Sequence, residues 1–311
     1  MLARCIERVY STNHLVSIKH SDLMSKTIIY DKLYQAFGKE GLGVLSISDI
    51  PRLHSSKINL LSQSYKLISL PDSEKMKLTS SGVGNTIGWS EQKSPFGEIQ
   101  ASFTANPQED TIGDSKNKNL WPGTLPNLRP NFRGLSQILL ETCIQLSSHI
   151  DHFLELDFPY SPLPSFETTI GSSLSHLGTL SHSRPFCQSL NKSYLKPWQL
   201  SSGIFSIFIP PVYQSEVESK LDELQEIMWV KAQGNEVPVV VGQDSVCFMI
   251  GKKGECISEG LFESKAFFEK HDQKYADLIR TSFTLMVNDS VLIAEKHDDI
   301  IKSNRVYANI N

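Results

Sequence analysis

The chain has 311 residues, 40% of them hydrophobic and 21% charged, with a formal net charge of −4. That length buries a substantial core, and the interspersed, nearly balanced charges exclude both the basic footprint of a nucleic-acid binder and a polybasic membrane patch. Cys5, Cys143, Cys187, Cys247 and Cys256 form no C-x-x-C pair and are odd in number, which argues for reduced intracellular thiols over a disulfide framework or a structural zinc site.

In chain order, residues 1–20 carry Arg4, Arg8 and Lys19 against one acid, Glu7, while Leu2, Ile6 and Val9 share a helical face. This reads as a mitochondrial presequence, with Arg8-Val9-Tyr10-Ser11 resembling a matrix cleavage site, or as the disordered leader of a cytoplasmic protein. Tyr30, Leu33, Tyr34 and Phe37 predict a helix, followed by a turn over Gly38 to Gly43 and a VLSI strand. A second helix is predicted from Arg52 to Ile68, stopping before Leu70-Pro71 because proline disfavours helix in its predecessor, and a short one over DSEKMKL. Residues 79 to 125 are rich in Ser, Gly, Asn, Pro and Thr and read as a long irregular surface connection. Leu135, Ile138, Leu139, Cys143, Leu146, Ile150, Phe153 and Leu154 predict a long helix from about Asn127 to Leu156. No stretch reaches the ~20 apolar residues of a membrane span.

Beyond Pro164 the segments GIFSIFIPPVY, EIMWVKAQ, VPVVVG, SVCFMIG, GLFESKAFF and TSFTLMVN are β-rich and separated by turns, the pattern of a sandwich or barrel. The expected organisation is a leader over 1–20, an N-terminal helical and mixed region over 21–125, a supporting helix over 126–165, a β-domain over 166–295 and a tail over 296–311. The fold class is α+β with a mainly β core.

An ordered series of landmarks gives this pattern a family resemblance. A helix leads into FGKEGLGVLSI; then come Leu70-Pro71 with Lys75, Gly88-Trp89-Ser90, Ala101-Ser102-Phe103, Ala105-Asn106-Pro107, Asn119-Leu120-Trp121-Pro122, Leu125-Pro126 and Phe132-Arg133. From about residue 28 to 290 the chain resembles the isopenicillin-N-synthase-like members of the non-haem Fe(II)/2-oxoglutarate dioxygenase superfamily. The resemblance implies a double-stranded β-helix, or jelly roll, holding iron by a His-x-Asp pair and a distant His. It places Trp198-Gln199-Leu200-Ser201-Ser202-Gly203 on the segment of the first pair, so Gln199 stands in the histidine position and Ser201 in that of the aspartate. Gly260 and Ser264 match the turn before the distal ligand, which puts Phe267 in the third position, with His271 as a displaced ligand if the strand carries an insertion. Arg280-Thr281-Ser282 matches the Arg-x-Ser pair that binds a carboxylate in relatives. Residues two apart on a strand share a face, so Arg280 and Ser282 are candidates for holding a small carboxylate; the other reading pairs Arg280 with an acid of the protein.

Iron(II) in such a site needs imidazole nitrogens and an anionic oxygen, whereas an amide, an un-ionised hydroxyl and a phenyl ring offer weak donors or none. No cofactor is therefore expected, and the degenerate site points to a pseudoenzyme with a binding or structural role, as an accessory of a larger mitochondrial assembly with protein partners. An active oxidoreductase using Fe(II) and 2-oxoglutarate through rearranged ligands such as His271 or His176 is the alternative. A metal-free carboxylate sensor built on Arg280 and Ser282 is a third. His149-x-Asp151 lies on a predicted helix, where residues two apart do not face each other, and His297-x-Asp299 falls after Arg280; neither is read as a metal pair. His149 and His152 are read as solvated or helix-capping groups, and His176 and His182, in a serine-rich stretch, as surface residues or pocket neighbours. No Gly-x-Ser-x-Gly, P-loop or His-Glu-x-x-His sequence supports a hydrolase, nucleotidase or zinc-protease reading.

Overall fold

A computed structural model describes residues 14–25, 28–79, 87–93, 99–112, 117–157, 163–184, 198–214, 221–223, 226–269 and 278–290. The large sheet runs β1 (Val16–Lys19), β2 (Val44–Ser48), β13 (Ser245–Ile250), β8 (Phe205–Phe208), β15 (Ile279–Val287), β7 (Leu177–Arg184), β4 (Ile99–Ala105) and β3 (Gly88–Lys93). Among these strands only the β1–β2 pairing is parallel. On β15, β9 (Val212–Gln214) adds a further partner, itself paired with β10 (Leu221–Glu223). A small sheet of β12 (Asn235–Val240), β11 (Glu226–Ala232) and β14 (Ala266–Phe268) faces the large one, giving the two-sheet jelly roll. A minor pair, β5 (Thr111–Ile112) with β6 (Asn117–Lys118), lies outside both.

Helices cover the outer face of the large sheet. The supporting helix α5 (Leu128–Asp157) buries Phe132, Leu135, Leu139, Cys143, Leu146, Ile150 and Phe153 at three- and four-residue spacing. At roughly 1.5–3 kcal/mol for each fully buried large side chain, that stripe is the main attachment of helix to sheet. Thr142 and Ser147 within it donate their hydroxyls to the carbonyls of Ile138 and Cys143, both at 2.8 Å, so their burial leaves no orphaned donor. Before α5 in the chain come α1 (His20–Met24), α2 (Tyr30–Phe37), α3 (Leu53–Ile68) and α4 (Asp72–Lys77); α6 (Phe166–Gly171) and α7 (Lys252–Ile257) follow it. Phe37 of α2 and Phe166 of α6 meet Phe205 of β8 at 5.9 and 6.0 Å between ring centroids. No helix among the described residues is long and apolar enough to cross a membrane.

Two expectations about organisation need correction. Part of the segment read as a surface connection forms β3 and β4, which extend the large sheet, and Ala101, Phe103 and Ala105 of β4 are buried against the helical layer. Likewise, Val16–Lys19 at the end of the expected leader pairs with β2, burying Val16 and Ile18. The landmark residues after β4 lock the turn that follows. The Asn119 side chain accepts from Asn106 N–H and donates to the Asn106 and Glu109 carbonyls, each at 2.8 Å. Asp110 accepts from Trp121 Nε1–H at 2.9 Å and from Arg133 at 3.0 Å, and Arg129 also reaches it.

Candidate functional site

The three positions that resemble iron-ligand positions are brought to one region. Gln199 N–H donates to the Phe267 carbonyl and Phe267 N–H to the Gln199 carbonyl, both at 2.9 Å, forming an antiparallel bridge. Directly opposed residues of such a pair lie about 5.5 Å apart at Cα and point to the same face. The neighbours Trp198 and Phe268 pack ring to ring at 4.3 Å, and by strand alternation they occupy the opposite face. Gln199 and Phe267 therefore look into the barrel.

What surrounds Phe267 is apolar. Phe267 is 4% exposed, meets Phe208 edge-on at 5.3 Å, and belongs to a cluster with Val44, Met228, Val230, Val239, Cys247 and Met249 contributed by both sheets. Burial pushes the Cys247 thiol well above its ordinary range, so it behaves as a small hydrophobe here. Ser201 is buried, and its hydroxyl shares a 2.7 Å hydrogen bond with that of Ser206 on β8. A carboxamide, a hydroxyl already engaged and a phenyl ring do not fit an iron(II) ion, which calls for imidazole and carboxylate donors. Among the described residues no group of three His, Cys, Asp or Glu side chains is placed to hold a metal. His271 and the His297-x-Asp299 pair lie outside the described residues.

Arg280 and Ser282, on β15, do converge: Arg280 Nη1 donates to Ser282 Oγ at 3.2 Å. The same nitrogen lies 2.7 Å from Glu269 Oε2. The carboxylate on this arginine is thus one of the protein's own, the second of the two readings of its sequence. Glu269 follows β14 two residues after Phe267, so the same alternation that turns Phe267 inward aims Glu269 at Arg280. Nothing in the sequence singled out Glu269, an isolated acid after an apolar run.

Beside this ion pair the barrel holds a cavity of about 190 Å³, lined from Ser90 and Gln92 on β3, through Ser102 on β4 and Ser181 on β7, to Glu269 and Arg280.

His176 and His182, read as surface residues or pocket neighbours, are both buried, and His182 borders the cavity. His176 is 1% exposed, with Nε2 3.2 Å from the Ile170 carbonyl and Nδ1 accepting Asn288 N–H at 3.2 Å. His182 Nδ1 lies 3.3 Å from Thr281 Oγ1. On α5, His149 Nε2 lies 3.0 Å from the Leu23 carbonyl, while Asp151 accepts from Ser165 Oγ and from the N–H groups of Phe166 and Glu167 at the start of α6. The two thus serve separate elements.

This arrangement of a helix-backed large sheet facing a small one is the fold of the 2OG-Fe(II) oxygenases. The structure matches a full-length Neurospora crassa protein in complex with alpha-KG at a TM-score of 0.70 and 13% identity, over 90% of this chain and 87% of that one. It matches a candidate 2OG-Fe(II) oxygenase family protein of Caulobacter crescentus at 0.68 and 12% identity, over 96% and 100%. The rice dioxygenase for auxin oxidation, DAO, matches at 0.63 and 14% identity, over 95% of both chains. At sequence level neither a family model nor a curated protein matches the chain. Likeness at this identity establishes the fold, and function is argued from the site.

Proposed function

We propose that this chain is an oxygenase-fold protein without oxygenase chemistry, serving a binding or structural role, with protein partners in a mitochondrial assembly as its setting. The observation that carries the reading is the Gln199–Phe267 bridge opening onto the apolar cluster around Phe208, Met228 and Met249. Of the three positions that the resemblance gives to a metal, Phe267 is packed in hydrocarbon, Ser201 is hydrogen-bonded to Ser206 and Gln199 is a neutral amide. Placing a divalent cation there would strip its water without supplying charged or strongly donating ligands. Arg280 supports the same reading, because its charge is already met by Glu269 inside the barrel.

Anaerobic iron(II) titration of the full chain, followed by oxygen uptake with and without 2-oxoglutarate, tests this. The expected result is no stoichiometric sub-micromolar iron binding and no 2-oxoglutarate-dependent oxygen consumption. Tight iron binding coupled to such consumption would instead establish the divergent oxidoreductase with rearranged ligands.

A further inference from the structure

Strand pairing gives the barrel interior a strong chemical asymmetry. On the side of β2, β13 and β8 it is filled mainly by Val44, Cys247, Met249 and Phe208, with Ser46 and Ser206 as the buried hydroxyls among them. On the side of β15, β7, β4 and β3, beyond the apolar Met286 and Leu177 at one end, the inward positions are hydroxyls and amides arranged in rows, with Arg280 among them. Ser282, Ser181, Ser102 and Ser90 are successive register partners across the four strands. The neighbouring row is Arg280, Ser183, Gln100 and Gln92, and on the other flank Thr284, Thr179 and Thr104 line up. Thr179 and Thr104 share a 3.1 Å hydrogen bond between their hydroxyls. Strands lie about 4.8 Å apart, so each row presents hydrogen-bonding groups at a spacing that a small flexible polar molecule can bridge.

The outward positions of the same strands include Phe103, Leu180, Phe283 and Leu285, with His182 and Thr281 as buried polar exceptions, His182 also bordering the cavity. Polar residues inside and apolar ones outside reverse what a packed barrel interior needs, and buried hydroxyls are costly unless something bonds them. Ser183 Oγ makes the point directly: the residue is 8% exposed and that oxygen is buried without a hydrogen-bond partner among the described residues. The cavity grades from exposed Ser90 and Gln92 at the sheet edge, through half-buried Ser102 and Ser181, to buried Ser183 and Arg280. Its volume of about 190 Å³ has room for on the order of a dozen waters, or a molecule of monosaccharide size.

We propose that this half of the barrel binds a small, neutral, hydroxyl-rich molecule of the sugar or polyol class, with Glu269 held on Arg280 in place of an external carboxylate. The inference rests on the reading of the chain as a binding protein and supplies that reading with a ligand chemistry. Serine and threonine hydroxyls both donate and accept, so they match a polyol group for group. An acid would have to displace Glu269 from Arg280 and break a buried ion pair, which opposes its entry.

Isothermal titration of the full chain with D-ribose, D-glucose and glycerol, and separately with glutarate and 2-oxoglutarate, up to about 10 mM reaches even a millimolar site. Saturable binding of at least one neutral probe and of neither diacid is expected, with an affinity loss of about tenfold in the Ser102→Ala/Ser181→Ala protein. Glu269→Ala should reverse the selectivity and bind glutarate. Failure of all three neutral probes, diacid binding by the unaltered chain, or a folded Glu269→Ala protein that ignores glutarate overturns the proposal. If Glu269→Ala does not fold, the unaltered and serine-substituted chains decide it alone. Iron- and 2-oxoglutarate-dependent oxygen uptake would strike the underlying reading, whereas loss of sugar binding without such uptake strikes only this inference.

Discussion

Glu269 Oε2 lies 2.7 Å from Arg280 Nη1 with each side chain 5% exposed, so an ion pair sits almost entirely out of water at the junction of the two sheets. Removing one partner leaves the other buried without its opposite charge in this pair, which typically costs about 3–5 kcal/mol, whereas replacing both with apolar groups of similar volume is often neutral. Arg280→Ala and Glu269→Ala should each lose stability of that order in urea unfolding, while Arg280→Met/Glu269→Leu recovers most of it. Because the pair is buried, its coupling energy should change little between about 0.1 and 1 M salt. Additive losses in the double variant would show that the two charges do not depend on each other.

Phe267 yields a second prediction. It is buried in the apolar cluster against Phe208, so Phe267→Ala should cost about 3–5 kcal/mol through lost transfer energy and a residual cavity. Phe267→His should also destabilise, because it sets an imidazole among methionines and valines with no evident partner. It should not confer iron binding, since Gln199 and Ser201 still lack charged or imidazole donors. Stoichiometric iron(II) uptake by Phe267→His would mean that Gln199 and Ser201 ligate after all.

The sequence made the frame around these positions legible because glycines mark where backbones touch. A Cβ on Gly203 would lie 2.7 Å from the Val287 carbonyl oxygen, and Ser201 Oγ stands 2.9 Å from the corresponding point on Gly251. The long helix was equally plain, because Leu135, Leu139, Leu146 and Ile150 face one side for many turns. β3 and β4 were missed for a physical reason: their inward residues are Ser90, Gln92, Gln100 and Ser102, so polar composition hid a true alternation. Glu269 was missed because its meaning lies in Arg280, which only the meeting of β14 and β15 brings near. The buried state of His176 and His182 was masked by the serines around them, of which Ser173, Ser175 and Ser183 are themselves buried.

Gly178 is where β7 meets the supporting helix. A Cβ there would lie 2.6 Å from Phe132 Cζ and 2.9 Å from Phe283 Cζ, two rings that pack edge to face at 5.1 Å. Gly178→Ala should therefore overpack this junction and cost about 1–3 kcal/mol. Phe132→Leu in the same chain should return part of the loss by shortening the side chain that clashes. Equal denaturation midpoints for Gly178→Ala and the unaltered chain would show that the rings move aside freely.

His176 predicts how stability depends on pH. Burial pushes its pKa down from 6.5 to about 4, against the opposing effect of its bond to the Ile170 carbonyl. Its Nδ1 accepts Asn288 N–H, so the folded chain holds a neutral ring with the proton on Nε2. Between pH 6.5 and about 4 the unfolded chain takes up a proton here that the folded chain refuses. Stability must therefore rise with pH across that window: the contribution is complete above 6.5 and lost progressively towards 4, where both states are protonated. The whole effect is on the order of 3 kcal/mol. Urea midpoints taken from pH 7.5 down to about 4 should fall, and His176→Asn, though less stable at neutral pH, should show a shallower fall. Carboxylates titrate at the lower end of the range in both proteins, so the difference between the two curves above about pH 5 isolates the histidine. Parallel curves would place the acid sensitivity elsewhere in the chain.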